Sequence, residues 1–425
     1  MSDRNYEEKF SQSIKKTLFY KLPLSQRDFI KRQAFLYGFT FQQIRQIVDI
    51  AIDFQMWSKG DISSFWSEDF KNEENKKVAA KKILQKIRSV HEAFKKELND
   101  YGEIKIRKTL PPKIKLTTKP KENLGFGLCP VASPKTRCCN LLTLDAVESC
   151  GFDCSYCSIQ SFYNEGKITF DTSLKQKLHD IKLDPDEFYH IGTGQSSDSL
   201  MWGNRYGVLD DLVDFAEKHP NVLLEFKTKS DNIGYFLDKE LPPNLLFTWS
   251  LNPQTIIDHE EHLTSSLKQR VNAAKKIASL GHLVGFHFHP MIYYKDYQKE
   301  YKEVFDLLLE SFDPKQVVMI SFGTLTFIKP VIKKIRERDF KSKILQMPFS
   351  QAAGKFSYPL NIKQEMFTFA YGSFKKWHKS VFFYLCMEDH SLWRDVFGYE
   401  YPTNESFEMD MKLSYKAKVD RLKNG

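Results

Sequence analysis

The chain has 425 residues, of which 41% are hydrophobic and 28% charged, a composition that indicates a globular protein of one or two domains. It contains no run of the ~20 apolar residues that span a membrane, and its polar N-terminus lacks the apolar core of a secretory signal. We therefore expect a cytoplasmic protein with reduced thiols and no membrane partner. The net charge of +9 permits contact with a polyanion without establishing it.

Residues 1–103 are predicted to form a helical N-terminal domain. Ser25 is a candidate cap for a helix that ends at Gly38, and Thr40 is a candidate cap for the next helix. A lysine-rich helix is expected over residues 75–99. Two helices joined by a short Gly-Phe-Thr turn have the outline of a helix-turn-helix, although an ordinary helical hairpin fits the same pattern.

Residues 104–137 are predicted to form a basic linker or extended arm. Between Ile104 and Lys121 the sequence has seven cations and no acid, and three prolines there prevent a continuous helix. Such a segment can lie along a phosphate backbone, and it can equally be a solvated linker.

Residues 138–400 are predicted to form a β/α domain, followed by a C-terminal tail over residues 401–425. Buried strand-like runs alternate there with amphipathic helices, which indicates either a doubly wound sheet or an incomplete barrel. In both folds the active site lies at the carboxyl ends of the strands. The predicted strands are residues 141–147, 188–191, 222–226, 246–251, 283–288 and 317–321, and the predicted helices are residues 209–218, 267–280 and 297–310.

Three cysteines, Cys150, Cys154 and Cys157, lie within eight residues directly after the first strand of this series. Three thiolates on one loop can bind three irons of a four-iron cluster and leave the fourth iron open to a substrate or cofactor. A structural zinc site is the alternative, with Cys138 or Cys139 as its fourth ligand. The position of the loop at the expected active-site end of the strands favours the open cluster.

This cysteine loop, with Tyr156 before its last cysteine, resembles the loop of the radical S-adenosylmethionine (SAM) enzymes. More narrowly, the chain resembles the spore photoproduct lyase family of DNA repair enzymes, in segments that occur in family order between Cys139 and Phe397. The resemblance implies an α/β fold with an incomplete (β/α)6 radical SAM barrel. The similar segments are residues 191–200, 226–229, 249–252, 285–290 and 384–388.

The resemblance also implies cofactors, partners and a reaction. A [4Fe–4S] cluster on the three cysteines would bind and cleave SAM to a 5′-deoxyadenosyl radical, which abstracts hydrogen from the substrate. In the family the substrate is a spore-type thymine dimer that is drawn out of the DNA stack. The implied partners are therefore DNA and a reducing protein such as flavodoxin or ferredoxin.

Residues at the strand ends are expected to bind SAM. Each also has an ordinary structural explanation: a tight turn for the glycines, a helix cap for Asp198, a surface position for Lys229 and a core position for His289. The expected SAM-binding residues are Gly192, Gly194, Ser197, Asp198, Lys229, Ser250, Asn252 and His289.

Two positions depart from the family pattern. Gln195 occupies the place of the family's hydrogen-donating cysteine, and Ser158 occupies the place of a tyrosine assigned to the same relay. A glutamine cannot donate a hydrogen atom, because its N–H bonds are much stronger than a thiol S–H bond. Cys386 or Cys139 could supply a replacement thiol if the fold brings one of them near, and a buried structural role is the alternative for each.

Three functions therefore compete. The leading hypothesis is a radical SAM lyase that repairs a thymine dimer in DNA. The first alternative keeps the radical chemistry but changes the substrate to RNA, a peptide or a small molecule. The second alternative is a non-catalytic nucleic-acid-binding protein with a structural metal centre.

Overall fold

The computed structural model describes residues 3–67, 69–70, 73–103, 114–121, 125–129, 135–160, 166–194, 196–352 and 355–423. The chain forms two compact units, of which unit 1 comprises residues 1–106, 293–295 and 326–358, and unit 2 comprises residues 107–292, 296–325 and 359–425. The sequence predicts a domain boundary near residue 103 and a single barrel domain to residue 400. The structure instead groups residues 326–358 with the N-terminal helices. Within the described ranges, no helix is both long enough and apolar enough to cross a membrane.

The helices and strands alternate through most of unit 2. The helices are α1 Asp3–Ile14, α2 Leu24–Tyr37, α3 Phe41–Met56, α4 Lys76–Lys96, α5 Leu174–Asp180, α6 Val208–Lys218, α7 Gln254–Glu260, α8 Leu267–Ser279, α9 Tyr297–Ser311, α10 Lys329–Glu337, α11 Leu360–Ser373, α12 Ser391–Phe397 and α13 Asn404–Lys423. The strands are β1 Lys115–Lys119, β2 Gly125–Leu128, β3 Leu142–Asp145, β4 Val147–Glu148, β5 Asp153–Cys154, β6 Lys167–Asp171, β7 Tyr189–Thr193, β8 Val222–Thr228, β9 Leu245–Ser250, β10 Glu261–His262, β11 Leu283–Met291, β12 Val317–Thr324, β13 Thr326–Phe327, β14 Ser350–Ala352, β15 Lys355–Ser357 and β16 Phe382–Leu385.

Unit 1 consists of helices α1–α4 and α10 with a small antiparallel sheet in the order β13–β15–β14. Thr40 caps α3 as predicted, because its hydroxyl accepts the Gln43 N–H at 3.4 Å while the Gln43 side chain accepts the Thr40 N–H at 2.8 Å. The predicted cap at Ser25 is wrong. Helix α2 begins at Leu24, immediately after Pro23, so that Ser25 lies inside the first turn.

A buried carboxylate stabilises the interior of unit 1. Arg336 donates two hydrogen bonds to Asp53, at 2.8 and 2.7 Å, and His91 lies 2.9 Å from the same carboxylate. Burial by itself would raise the pKa of Asp53, but the Arg336 charge and these hydrogen bonds lower it to about 2. The carboxylate is therefore ionised and fully paired within this unit.

Unit 2 contains a curled, open sheet of eight strands in the order β16–β12–β11–β9–β8–β7–β3–β2. The paired strands are parallel, except that β2 runs antiparallel to β3. This half-barrel confirms the expected α/β fold. All six predicted strands and all three predicted helices are present. The two edge strands β2 and β16 are additional; each has only four residues, too few for a clear hydrophobic pattern.

Two segments expected to be irregular have regular structure. In the basic arm, residues 104–113 lie outside the described residues, but Lys115–Lys119 form β1 and pair in parallel with β6. The predicted C-terminal tail is helix α13, which buries Phe407, Met411 and Tyr415. Phe407 stacks on Phe382 of the edge strand β16, with ring centroids 6.2 Å apart.

Candidate active site

The loop that carries Cys150, Cys154 and Cys157 is attached to the half-barrel by the strand β10. Strand β5 pairs with β10, so that Cys154 lies opposite Glu261. Next to this pair, the backbone N–H of Ser155 donates to the carbonyl of Glu260 at 2.8 Å, and the Ser155 hydroxyl donates to the Glu260 carboxylate. Backbone and side-chain hydrogen bonds therefore fix the middle of the cysteine loop.

Glu261 links this loop to the barrel strands. Its buried carboxylate accepts hydrogen bonds from the Tyr156 hydroxyl and from Asn252 Nδ2 (2.8 Å), and it lies 2.5 Å from Arg270 Nη2. Burial would raise the pKa of Glu261, but the Arg270 and Lys229 charges hold it below its ordinary value. Neither Glu261 nor Arg270 was identified from the sequence, because an acidic residue after a short helix gives no local signal of burial.

Lys229 lies directly after β8, close to the cysteine loop. Its ammonium group is 5.9 Å from the centre of the Tyr156 ring. Burial raises the pKa of Cys154 to about 12, although the Lys229 charge opposes this rise. The predicted residues Lys229, Tyr156 and Cys154 are thus brought together at the carboxyl end of the sheet.

The thiols of Cys150 and Cys154 are protonated in the protein alone. Burial raises the pKa of Cys150 well above its ordinary value, and the charges of Asp198, Cys154 and Cys157 act on the same thiol. Metals bind thiolates, so a bound cluster would have to displace these protons. Among the described residues, no three His, Cys, Asp or Glu side chains already lie at metal-binding spacing, and the assignment of the three ligands stays a prediction.

The turn after β7, here called the glycine turn, requires a residue without a side chain at position 194. Gly194 has φ +76°, and a Cβ atom there would lie 2.9 Å from the backbone N of Ser199. At Gly192 a Cβ atom would come within 3.2 Å of the Leu141 side chain. The buried hydroxyl of Ser197 has no hydrogen-bond partner in the described part of the chain, so it can accept or donate a bond to a ligand. Gln195 lies outside the described residues.

Asp198 joins the glycine turn to the end of β8. Burial raises its pKa, and the hydrogen bonds that it accepts oppose this rise. The hydrogen bonds that it accepts come from the chain itself, which favours the capping role over the ribose-binding role for this residue. They are the backbone N–H groups of Leu200 (3.1 Å), Met201 (2.9 Å) and Lys229 (2.7 Å), and the hydroxyl of Thr228 (2.7 Å).

Ser250 and Asn252, at the end of β9, are buried and engaged within the protein. The Ser250 carbonyl accepts a hydrogen bond from Arg270 at 2.8 Å. The Asn252 amide donates to Glu261 and accepts from the Tyr301 hydroxyl at 2.7 Å. Both residues support the network around Glu261, and their predicted contact with SAM is not tested by these bonds.

A buried polar layer crosses the interior of the half-barrel below these residues. Glu225 Oε2 lies 2.8 Å from His190 Nε2, and Glu225 Oε1 lies 2.8 Å from His287 Nε2. Burial would raise the pKa of Glu225, but the bonds from the two imidazoles lower it well below its ordinary value. Burial also lowers the pKa of His287 to about 4, so that its neutral imidazole stabilises a charged carboxylate.

His289 lies two residues beyond His287 on β11, nearer the carboxyl end of the sheet. Its buried Nε2 atom has no hydrogen-bond partner among the described residues. Burial lowers the pKa of His289 well below its ordinary value, and Lys227 and His287 act in the same direction. The imidazole is therefore neutral and has one nitrogen available to a ligand.

Comparison with known proteins agrees with this geometry. A sequence model of the family described as spore photoproduct lyase matches residues 145–358, half of the chain. The chain belongs to the spore photoproduct lyase family. The match begins just before the cysteine loop and includes the glycine turn, Lys229 and His289.

Curated spore photoproduct lyases are distant relatives of this chain. The protein of Geobacillus sp. (strain Y412MC61) is 25% identical over 202 residues, which are 46% of this chain and 59% of that protein. The protein of Clostridium acetobutylicum is 25% identical over 223 residues, which are 51% of this chain and 64% of that protein. The chain therefore spans about three fifths of the length of these relatives.

Solved structures of spore photoproduct lyase share the fold. A variant with bound AdoMet and dinucleoside spore photoproduct aligns with a TM-score of 0.54 at 20% identity, covering 63% of this chain and 81% of that chain. A second structure, complexed with dinucleoside spore photoproduct, also has a TM-score of 0.54 at 20% identity and covers 64% and 82%. The expected partial barrel is thereby confirmed.

Proposed function

We propose that this chain is a radical SAM lyase that acts on a spore-type thymine dimer in DNA, in the cytoplasm. The observation that carries the proposal is the position of three loop cysteines at the carboxyl end of an open parallel half-barrel, within the part of the chain that matches the family. Parallel β/α sheets bind their ligands at this end.

The residues present fit the proposed cofactors. Cys150, Cys154 and Cys157 would hold a [4Fe–4S] cluster, since soft thiolates are the ligands that such clusters use. SAM would lie against the glycine turn, with the unpartnered Ser197 hydroxyl and the Lys229 ammonium beside it. When bound, the two cofactors supply a 5′-deoxyadenosyl radical.

The chain's own residues position the loop and exclude water. Tyr156, only 7% exposed, is fixed by its bond to Glu261, and the Arg270 ion pair fixes Glu261 in turn. Below this level, Glu225, His190 and His287 form a buried, hydrogen-bonded layer in the barrel interior. A reactive radical formed above these residues would be shielded from solvent on that side.

DNA and a reducing protein are the proposed partners. The net charge of +9 and the basic strand β1 favour contact with a polyanion. The related lyases whose structures contain dinucleoside spore photoproduct support a thymine-dimer substrate. A flavodoxin or ferredoxin would supply the low-potential electron.

The proposal is tested by an anaerobic assay for 5′-deoxyadenosine. The protein is reconstituted with iron and sulfide, reduced, and mixed with SAM in the presence of undamaged DNA or of DNA with a spore-type thymine dimer. We expect cleavage of SAM and loss of the dimer, with lesion DNA binding that weakens steeply as salt is added. A protein with a full cluster that does not cleave SAM contradicts the proposal and favours the non-catalytic alternative.

A second candidate function is the same radical chemistry on another substrate. Two sequence positions favour it: Gln195 and the exposed Ser158 stand where the family has a cysteine and a tyrosine for radical quenching. SAM cleavage that lesion DNA does not stimulate would support this candidate over the leading one.

A further inference from the structure

Helix α4 of unit 1 has one buried face and one exposed basic face. The helix contains eight lysines and arginines but a single acid, Glu92, and seven of the eight cations are exposed. Its apolar residues recur with the period of one helical face and pack inside the unit, so the charged side chains point outward. The buried residues are Ala79, Ala80, Ile83, Leu84, Ile87 and His91.

Three cations of α4 are paired with acids next to the helix, and the others are not. The pairs are Lys82–Glu73 (2.7 Å), Lys86–Asp69 (2.9 Å) and Lys95–Glu92 (3.0 Å). By contrast, Lys77, Lys81 and Arg88 form no ion pair with any residue that the structure describes. The Arg88 guanidinium donates a hydrogen bond to the neutral side chain of Gln46 on α3, which leaves its charge uncompensated.

These three unpaired cations lie on one line along the helix, here called the basic stripe. An α-helix turns about 100° and rises about 1.5 Å per residue. The side chains of Lys77, Lys81 and Arg88 therefore leave the helix axis within about 40° of one another, and the stripe is about 17 Å long.

The basic stripe is unfavourable for the helix that carries it. Lys77 and Lys81 are four residues apart, a spacing at which like charges repel. Lys76 and Lys77 lie in the first turn, where the helix dipole favours acids, and that turn contains no acid. Helix α13 instead pairs cations with acids four residues away. The pairs of α13 are Lys412–Glu408 (2.6 Å) and Lys416–Asp420 (3.2 Å).

The charge and length of the basic stripe match the backbone of a nucleic acid. Each strand of B-DNA carries one phosphate charge per ~3.4 Å of its axis, so a straight stripe of about 17 Å can follow about five phosphates. Bound phosphates would also relieve the repulsion between the lysines. Solved structures of related lyases contain a dinucleoside photoproduct, which favours DNA over an acidic protein as the polyanion.

We propose that the basic stripe of α4 binds the phosphate backbone of duplex DNA. This inference rests on DNA as the partner in the proposed function, but it does not depend on the radical chemistry. Helix α4 lies outside residues 145–358, which match the family, so the stripe is a surface of this chain's own N-terminal unit. Backbone contacts carry no sequence information, and the stripe therefore holds damaged and undamaged DNA alike.

The test measures how salt weakens the binding of a fluorescent, undamaged DNA duplex to the full chain without cofactors. The variant Lys77→Gln/Lys81→Gln/Arg88→Gln loses three phosphate contacts. Its plot of log binding constant against log salt concentration should therefore be shallower by about 3. The three side chains are exposed, so the fold should be retained, and circular dichroism checks this.

The matched control removes the same charge from unit 2. The variant Lys375→Gln/Lys376→Gln/Lys379→Gln replaces three other exposed lysines and should keep the native slope. Equal slopes in the native protein and the stripe variant overturn the proposal. An equal loss of slope in both variants also overturns it, because net charge alone would then explain the binding.

Further outcomes separate the stripe from other partners and from the proposed function. A stripe variant that binds DNA normally but is reduced more slowly by flavodoxin assigns the stripe to an acidic protein and overturns the DNA assignment. A native protein that cleaves SAM but binds no duplex overturns the stripe and leaves the radical chemistry in place. Native binding with the predicted loss in the stripe variant, in a protein that cleaves no SAM, supports the stripe and contradicts the proposed function.

Discussion

The two sets of thiols at the carboxyl end of the half-barrel are assembled in different ways. The loop thiols Cys150, Cys154 and Cys157 come from eight consecutive residues, and a two-strand ladder fixes their loop. The other four cysteines, here called the second thiol group, come from opposite edges of the sheet and approach one another only when the barrel has formed: Cys129, Cys138, Cys139 and Cys386. Their electrostatic surroundings also differ, since the loop lies beside the Glu261–Arg270 ion pair whereas the charge of Lys227 acts on Cys386.

This difference indicates that only the loop thiols are placed to bind one metal centre together. Consecutive cysteines can all turn toward one metal centre, as cluster ligands must. Two of the dispersed thiols instead differ in pKa, because the S–H group of Cys139 donates to Cys138 and lowers its pKa to about 6, whereas burial raises the pKa of Cys386 to about 12. Variants at both places test whether the loop cysteines and the second thiol group are independent sites.

The largest effect is expected from Cys154→Ala, which should abolish cluster assembly because it removes one of three ligands. Cys139→Ala should leave the cluster in place, since that residue belongs to the second thiol group. Iron and sulfide content after anaerobic reconstitution measures both variants, and circular dichroism checks that the barrel is folded. Loss of iron from Cys139→Ala would instead mean that Cys139 is a metal ligand, so that the loop cysteines and the second thiol group belong to a single metal site.

The next effect concerns the attachment of the cysteine loop. Glu261→Ala should lower the free energy of unfolding by about 3 kcal/mol, because it leaves the buried guanidinium of Arg270 without its carboxylate. The exposed pair Lys218–Asp214 is the control, and Asp214→Ala should cost under about 1 kcal/mol. Urea denaturation measures both variants. If Glu261→Ala and Asp214→Ala lost equal free energy of unfolding, the Glu261 carboxylate would not be the group that fixes the cysteine loop.

A smaller effect concerns the protonation of Cys138. Its alkylation by iodoacetamide requires the thiolate, so the rate should rise with pH, pass its midpoint near pH 6 and level off above it. In Cys139→Ala the lost S–H donor should move the midpoint upward, toward the ordinary thiol value. Mass spectrometry of the labelled peptide follows the rate at each pH, and a midpoint that stays in place contradicts the Cys138–Cys139 bond.

The smallest effect is expected from Ser155→Ala. The variant loses the hydroxyl bond to Glu260 but keeps the backbone bond from the same residue, so it should cost about 1 kcal/mol of stability. Thermal unfolding measures the loss of stability, which is compared with the loss in Glu261→Ala. A cost as large as that of Glu261→Ala would place the main attachment of the loop at residue 155.

The sequence predicts the parallel core of the fold because that core repeats a local pattern. Each of the six predicted strands is a short run of apolar residues. Such a run can be read from the sequence without knowledge of the fold. The edges lack such a signal, since β2 is the four-residue run Gly-Phe-Gly-Leu and is antiparallel to its neighbour. Residues 326–358 fall inside the predicted 138–400 domain, and their grouping with the N-terminal helices depends on tertiary packing that no local pattern contains.

In the candidate site, residues close in sequence were predicted and residues close only in space were not. The cysteine loop and Lys229 could be identified because their spacing or strand-end position is visible in the sequence. Glu261 and Arg270 could not, because an ion pair that connects β10 to α8 depends on tertiary packing. The meeting of Cys386 with Cys139 depends on the curl of the sheet, which no local pattern contains.

Helix α13 has a consequence for how the protein is made. It packs on the edge strand β16 through Phe407, while Asn404 accepts the N–H of Cys138 at 3.0 Å and Glu408 accepts a bond from Asn140 at 2.8 Å. The two edges of the open sheet are thus joined by a helix that follows all seven cysteines in the sequence. Synthesis proceeds from the N-terminus, so the nascent chain carries all seven cysteines before this helix exists. Cluster loading before that point would act on an unfinished barrel, and the order of translation therefore favours insertion of the metal after α13 has been made.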